Sequence, residues 1–263
     1  MFTNVPRLQR SVLTDHPWLF LSPHLDDAVL SCGALLKESA GTRDITVATI
    51  FTDVAAPPHT HAARSFIDQC AAPDADVLFE MRRTEDRHVL KQLGVRHMHV
   101  GLADALFRQR QLAPGFRFLG RRLPELAYRY PTYRFDIALG RIARGDRALI
   151  EDLRSKVADL LEHTGAELLF CPLGVGRHVD HVISRLVGSY FPDHVVYYAD
   201  FPYSLSFPLE ERFIGKYGLN SGTWDRELVA KQALIRGYAT QADALFPDGQ
   251  IPVVPETYFA SAR

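Results

Sequence analysis

The sequence predicts an α/β fold, a Rossmann-like three-layer sandwich with a mostly parallel sheet and helices on both faces. Three observations point there. Apolar strand-like runs at 18–21, 44–51, 167–173 and 194–199 alternate with stretches of helical spacing, the pattern of βαβ units. The runs are apolar at nearly every position rather than at every second one, as strands covered on both faces are. Two polar clusters each follow such a run at once, and in an open parallel sheet all strand exits lie at the carboxyl edge, where ligands bind.

Length and composition fit this class. A chain of 263 residues with 47% hydrophobic and 23% charged content can bury a large core, and one α/β domain spanning 1–263 is the simplest partition. With 30 basic and 31 acidic side chains the net charge is -1, which offers no electrostatic reason to expect nucleic acid or an anionic membrane as partner. Cys32, Cys70 and Cys171 are too far apart in sequence for a zinc knuckle or a redox pair, which suggests a reducing compartment. No apolar stretch reaches the length of a signal peptide core or a membrane span, so the expectation is a soluble, cytoplasmic protein.

Taken in order, the run Trp18-Leu19-Phe20-Leu21 reads as a buried strand and leads into Ser22-Pro23-His24-Leu25-Asp26-Asp27. The stretch 28–37 has helical spacing, so this cluster sits where a strand becomes a helix. Asp26 and Asp27 then have two readings, a helix N-terminal cap or a metal site. The β-branched run 44–51 is a second strand, and 54–60, with Pro57-Pro58, is a loop whose His59 and His61 are most simply solvated. A helix over 79–93 closes at Gly94, and 95–100 forms a short strand with His97 and His99 on one face.

Residues 102–142 change character, with arginines such as Arg108, Arg110, Arg129 and Arg134 among aromatics such as Phe107, Tyr128, Tyr130 and Tyr133, broken by Pro114-Gly115. The absence of either period suggests a lid or insertion of short helices and loops at about 102–145. Its mixture suits a phosphorylated or glycosylated substrate or single-stranded nucleic acid; the plainer reading is a solvated surface over packed aromatics. An amphipathic helix at 146–163 ends at Gly165, and the strand 167–173 runs into Gly174-Val175-Gly176 and the second cluster, Arg177-His178-Val179-Asp180-His181. Residues 182–187 are helical, 194–199 read as the final strand, 224–238 as a helix, and the remainder as an irregular tail.

The clusters are some 150 residues apart in sequence, yet strand exits on one edge let His24, Asp26, Asp27, His178, Asp180 and His181 meet. Two histidines at this spacing carry little information by themselves: with 11 histidines, roughly 0.5 such pairs are expected by chance. The intervening Asp and the strand context sharpen the signal. Two imidazoles and a carboxylate with an open position suit a hydrolytic divalent metal, zinc in most cases, with Fe(II) compatible with the same donors. A second carboxylate can then act as base, and a spare histidine can stabilise an oxyanion and protonate the leaving amine.

At these residues the chain resembles the PIG-L family of deacetylases, also called LmbE-like, which remove the acetyl group from N-acetylglucosamine units of glycoconjugates. The family's His-Pro-Asp-Asp-Glu stands here as His24-Leu25-Asp26-Asp27-Ala28, and its His-x-Asp-His as His178-Val179-Asp180-His181. The resemblance implies His24, Asp27 and His181 as metal ligands, Asp26 as general base, and His178 as electrophilic and acid partner, held or tuned by Asp180. Arg82-Arg83-Thr84-Glu85 is similar to the family's Arg-x-x-Glu helix, whose arginine faces the sugar, and Asp104 to an Asp after its third strand, which implies both as substrate-binding. Lys231, Tyr238 and Gln241 are similar to its C-terminal signature. Leu25 in place of Pro and Ala28 in place of Glu depart from it. The implied partner is a small amino sugar or glycoconjugate. The rivals are a nucleotide-binding Rossmann-like domain, weakened by the lack of Gly-x-Gly-x-x-Gly after a strand, and a non-catalytic protein that keeps the fold.

Overall fold

The protein is described by a computed structural model over residues 5–111, 113 and 117–261. Seven strands, β1 (Trp18–Ser22), β2 (Ile45–Asp53), β3 (Arg96–Ala103), β4 (Leu168–Pro172), β5 (Val195–Tyr198), β6 (Leu219–Trp224) and β7 (Glu256–Ser261), form one sheet in the order β3-β2-β1-β4-β5-β7-β6. The first five pair in parallel, and β7 is antiparallel to both β5 and β6. The helices are α1 (Pro6–Val12), α2 (Asp27–Ser39), α3 (His61–Gln69), α4 (Ala75–Leu93), α5 (Arg117–Arg122), α6 (Pro124–Ala127), α7 (Arg147–Thr164), α8 (Val179–Gly188), α9 (Glu211–Tyr217), α10 (Leu228–Ile235) and α11 (Ala239–Leu245). No helix among the described residues is long and apolar enough to cross a membrane.

The expected α/β architecture holds, and β1 shows why its strands lack alternation. Leu19 and Leu21 enter the core on one face of the sheet, while Trp18 and Phe20 enter the core on the other. Both faces are covered, so the run Trp18–Leu21 is apolar throughout. Phe20 and Phe170 are in register on β1 and β4 and stack with centroids 4.1 Å apart. Strand order runs outward in both directions from the β1 and β4 pair, so the turns that follow these two strands flank one crevice.

Local signals account for most boundaries and for several differences. Helix α4 begins at Ala75, ahead of the expected residue 79, because Asp74 accepts a hydrogen bond from the Val77 N–H at 2.8 Å and caps it. It ends at Gly94, whose φ of 74° is the left-handed region. The loop after β2 closes at Thr60, which caps the unexpected helix α3. The segment after β3 is built of short helical turns and loops, as expected, with Phe107, Tyr128 and Tyr130 buried and Phe135 exposed. Pro114-Gly115 lies outside the described residues.

The C-terminal quarter is corrected. The run 194–199 is not the final strand, Trp224 ends β6 rather than starting a helix, and the tail contains β7. Strand β6 is mostly polar because only part of it is covered, and β7 opens on a glutamate, so neither carries the apolar signature of the central strands. Glu256 nevertheless lies 3% exposed. It accepts the Ala34 and Leu35 N–H groups of α2 at 2.9 and 3.0 Å and pairs with Lys231 Nζ of α10 at 3.0 Å. Glu256→Ala strands a buried ammonium and is expected to lower unfolding stability by about 3–5 kcal/mol, read as a shifted urea midpoint. Adding Lys231→Met should recover most of that loss.

Candidate metal centre and substrate pocket

The first cluster is shaped by its own main chain. Ser22, the last residue of β1, donates its hydroxyl to the His24 carbonyl at 2.6 Å and accepts the Ala28 N–H at 2.9 Å, fastening the strand-to-helix turn. Phe51 N–H of β2 holds the Pro23 carbonyl at 2.9 Å. Asp26 occupies the N-cap position of α2 but its carboxylate makes no capping bond, so the bland reading of this residue fails. Asp27 turns back instead: its Oδ2 accepts the His24 N–H at 2.8 Å and lies 3.1 Å from His24 Nδ1. The side chains of Leu25 and Ala28 pack into the two cores, so the two departures from the family motif are filled by apolar packing.

The second cluster comes off β4 through a turn in which Gly174, Gly176 and Arg177 all have positive φ. Gly176 is required twice, by its φ of 81° and by Tyr203, whose ring a Cβ there would meet at 3.0 Å. Helix α8 starts at Val179, with His178 as its cap. His178 Nδ1 accepts the Asp180 N–H at 3.3 Å, which leaves Nε2 to carry the ring proton. His181 Nδ1 lies 2.6 Å from Asp200 Oδ1, and its Nε2 lies 3.2 Å from Asp27 Oδ2.

The clusters therefore meet. Asp27 Oδ2 stands between His24 Nδ1 and His181 Nε2, and the rings of His24, His178 and His181 lie with centroids 4.8 to 5.5 Å apart. Among the described residues, two overlapping sets bring their ligating atoms within 4.8 Å of one another: His24, His178 and His181, and His24, Asp104 and Asp180. Nitrogen and carboxylate donors in this number fit a divalent cation.

Electrostatics reinforce that fit. Burial works to raise the Asp27 carboxyl, but His181 and His24 more than offset it and hold it well below the usual carboxylate range. Burial and then the charge of Asp27 push Asp26 up to about 6. Burial opposes protonation of His24, yet contacts with Asp180 and Asp27 hold it at about 9. His181 is likewise raised well above the ordinary value, its burial outweighed by Asp27 and Asp200. His178 is depressed well below, by burial and then by charged His24. Carboxylates crowd buried imidazoles here, an environment that a cation would suit.

Around this centre a pocket is lined by Asp26, Arg82, Asp104, His178, Tyr133, Tyr203 and Gln241, with Leu30, Phe66, Leu106 and Leu245 as its apolar wall. Arg82 is 4% exposed, its Nη2 stands 3.8 Å from Asp26 Oδ1, and its buried Nε has no hydrogen-bond partner among the described residues. Tyr133 brings the segment after β3 into the wall, its ring 6.0 Å from that of His178.

His24, Asp26, Asp27, Arg82, Asp104, His178, Asp180 and His181 all lie at this site, whereas Lys231 and Tyr238 pair with Glu256 and Asp86; Asp180 and Asp104 have contacts beyond those expected. The Asp180 carboxylate raises His178 through its charge, but its close partners lie elsewhere. It faces His24 Nε2 at 3.3 Å and accepts from Arg108 and the Ala105 N–H. Asp104 lines the pocket and also lies 3.4 Å from His24 Nε2. Asp200 and Arg108 carry no role in the sequence reading. Asp200 stands just past the end of β5, the same kind of position as the two clusters, but as a lone carboxylate. His59 and His99 stay outside the pocket, on Tyr128 and Asp86. Cys32 and Cys171 are buried with thiols pushed up by burial, which suits packing rather than chemistry.

Comparison with known proteins gives a family and a fold. A model of the family described as PIG-L, GlcNAc-PI de-N-acetylase, matches residues 19–198. A 2′-N-acetylparomamine deacetylase from Streptomyces fradiae is 27% identical over 191 residues, covering 71% of this chain and 57% of that protein. The chain thus spans little more than half the length of this curated relative. A crystal structure of a deacetylase–teicoplanin complex from the teicoplanin biosynthesis pathway superposes with a TM-score of 0.70 at 21% identity, covering 92% of this chain and 97% of the other. The zinc-inhibited form of teicoplanin deacetylase gives 0.69 at 22%, again covering 92% and 97%. These two share the fold.

Gly176→Ala tests the second turn. Its methyl would press on Tyr203 in a left-handed backbone conformation, and a stability loss of about 1–3 kcal/mol is expected in thermal unfolding.

Proposed function

Since this chain belongs to the PIG-L family of de-N-acetylases, we propose that it is a metal-dependent amidohydrolase that removes an N-acetyl or other N-acyl group from an amino sugar or its glycoconjugate. One observation carries the reading: His24 Nδ1 and His181 Nε2, 157 residues apart in sequence, both point at the same Asp27 oxygen. The rival dinucleotide site loses its place, because the first strand-to-helix turn of the sheet is filled by an imidazole and two carboxylates instead of a glycine cradle. The amino-sugar class is supported by the relative named for 2′-N-acetylparomamine.

In this reading His24, Asp27 and His181 hold the cation, zinc by preference, with Fe(II) suited to the same donors. Such a cation supplies Lewis-acid polarisation of the amide carbonyl and a more acidic water. Asp26, adjacent to Asp27 and without a capping duty, takes the proton of the attacking water. As the oxygen bonds to the acyl carbon, the Nε2–H of His178 donates to the developing oxyanion. When the C–N bond breaks, the proton held by Asp26 passes to the departing amine, and the acyl group leaves as a carboxylic acid that gives up its remaining proton to solvent. This gives Asp26 the acid role for which the sequence reading chose His178, because Nδ1 of His178 is already an acceptor and its single proton is needed on the oxyanion. Arg82 and Asp104 face the sugar, and the apolar wall of Leu30, Phe66, Leu106 and Leu245 limits water around the amide. The whole chain acts as one unit, with the segment at about 102–145 walling the site through Leu106 and Tyr133. Three free cysteines agree with a cytoplasmic location.

Purified chain should contain a stoichiometric divalent metal and release acetate from N-acetylated amino sugars. His24→Ala and His181→Ala should each lose both metal and turnover. Asp26→Ala should retain metal while its turnover falls about 10²–10⁴-fold, and His178→Ala should retain metal with a fall of about 10²–10³-fold. An Asp26→Ala chain that keeps the full rate would remove Asp26 from the mechanism.

A further inference from the structure

Arg108 lies in the segment after β3, far in sequence from both clusters, yet it is 4% exposed. Its Nη2 donates to Asp180 Oδ1 at 2.5 Å and its Nη1 to Asp146 Oδ2 at 3.1 Å. Nε and Nη2 also donate to the Ala103 carbonyl at 3.1 and 2.9 Å, and the guanidinium stands 4.7 Å from the Phe51 ring centroid. Asp146, 0% exposed, is held in addition by Arg129 and by the Tyr130 hydroxyl. Removing such ions from water costs several kcal/mol each, and well-packed apolar residues of similar volume commonly match or exceed the stability of a buried ionic triad. Stability alone is thus a weak reason for this arrangement, and what Asp180 touches becomes the question.

The other oxygen of Asp180 accepts the Ala105 N–H at 2.8 Å and faces His24 Nε2 at 3.3 Å, where Asp104 also approaches to 3.4 Å. Two acceptors at Nε2 draw a ring proton to that nitrogen and leave Nδ1, on the Asp27 side, as the ligating atom. His181 has the complementary arrangement, with Asp200 at Nδ1 and Nε2 turned to Asp27. Asp200 is itself fixed by the Val175 N–H at 2.8 Å. Asp180 has instead been fixed by a cation reaching in from the segment after β3.

We propose that Arg108 is a positioning residue of the cation centre: it anchors Asp180, and through Asp180 orients His24 so that Nδ1 is presented beside Asp27 and His181. The proposal rests on the metal-centre reading above. It gives the arginine-rich segment a duty at the centre itself, through one buried member, besides its wall residues. Asp180 correspondingly has a duty at His24 besides its contact with His178.

The test is Zn²⁺ affinity of the metal-stripped full-length chain by chelator competition, alongside its thermal midpoint. Arg108→Gln and Asp180→Asn are each expected to raise the Zn²⁺ Kd about 10–100-fold, the range found when partners of metal-bound histidines are removed. Arg108→Lys, which keeps the charge but loses the fork, should recover part of that affinity. A purely structural Arg108 would lower the midpoint in these variants and leave the Kd within about twofold of wild type, and that result overturns the proposal. Should Arg108→Gln fail to fold, Asp180→Asn decides by the same Kd criterion. Wild-type chain that binds no Zn²⁺ overturns the metal centre and this inference together, whereas binding unaffected by either variant overturns the inference alone.

Discussion

The structure depends on how a single buried carboxylate is held. Asp27 is 5% exposed, and its Oδ2 is shared by the His24 N–H and by the facing nitrogens of His24 and His181. An ion withdrawn from water to this degree persists only with partners in good geometry. The partners come from both halves of the sheet, so satisfying this one group joins the ends of β1 and β4 and brings Asp26, His178 and Asp180 to one place. Each imidazole then has a carboxylate behind it, Asp200 for His181 and Asp180 with Asp104 for His24.

The parallel sheet makes this arrangement possible. Its strand exits all fall on one edge, and order reverses between β1 and β4, so the two turns open onto the same crevice. The residues around the crevice come from separate elements: Arg82 from α4, Tyr203 from the turn after β5, Gln241 from α11 and Tyr133 from the segment after β3. The scaffold fixes the shared chemistry, and the segments between strands supply most of the wall that a substrate meets.

The parts of this arrangement legible in the sequence follow from burial and chain order. β1, β2 and β4 are covered on both faces, so they appear as nearly continuous apolar runs, and polar clusters directly after two of them stand out. β6 and β7 do not stand out, because β6 is half exposed and β7 begins with a glutamate whose partners, Ala34, Leu35 and Lys231, come from helices far earlier or across the sheet. Asp200 obeys the same exit rule as the clusters, but one Asp after a strand is too common to signal anything. The target of Asp180 is a matter of side-chain direction in the first turn of α8, which spacing does not encode. Arg108 is one arginine among many in its stretch, and only the fold selects it for burial.

The place of β7 bears on how the chain acquires its shape. It lies between β5 and β6 although it follows both in sequence. During synthesis, β5 has one open rim and β6 no partner in the sheet until residues beyond 255 leave the ribosome. Nascent protein of this kind spends its elongation with unpaired backbone on two strands, a template for pairing with neighbouring chains. Strand β7 closes both rims at once and seats Glu256 under α2 and α10, so the sheet is sealed only when this strand is in place.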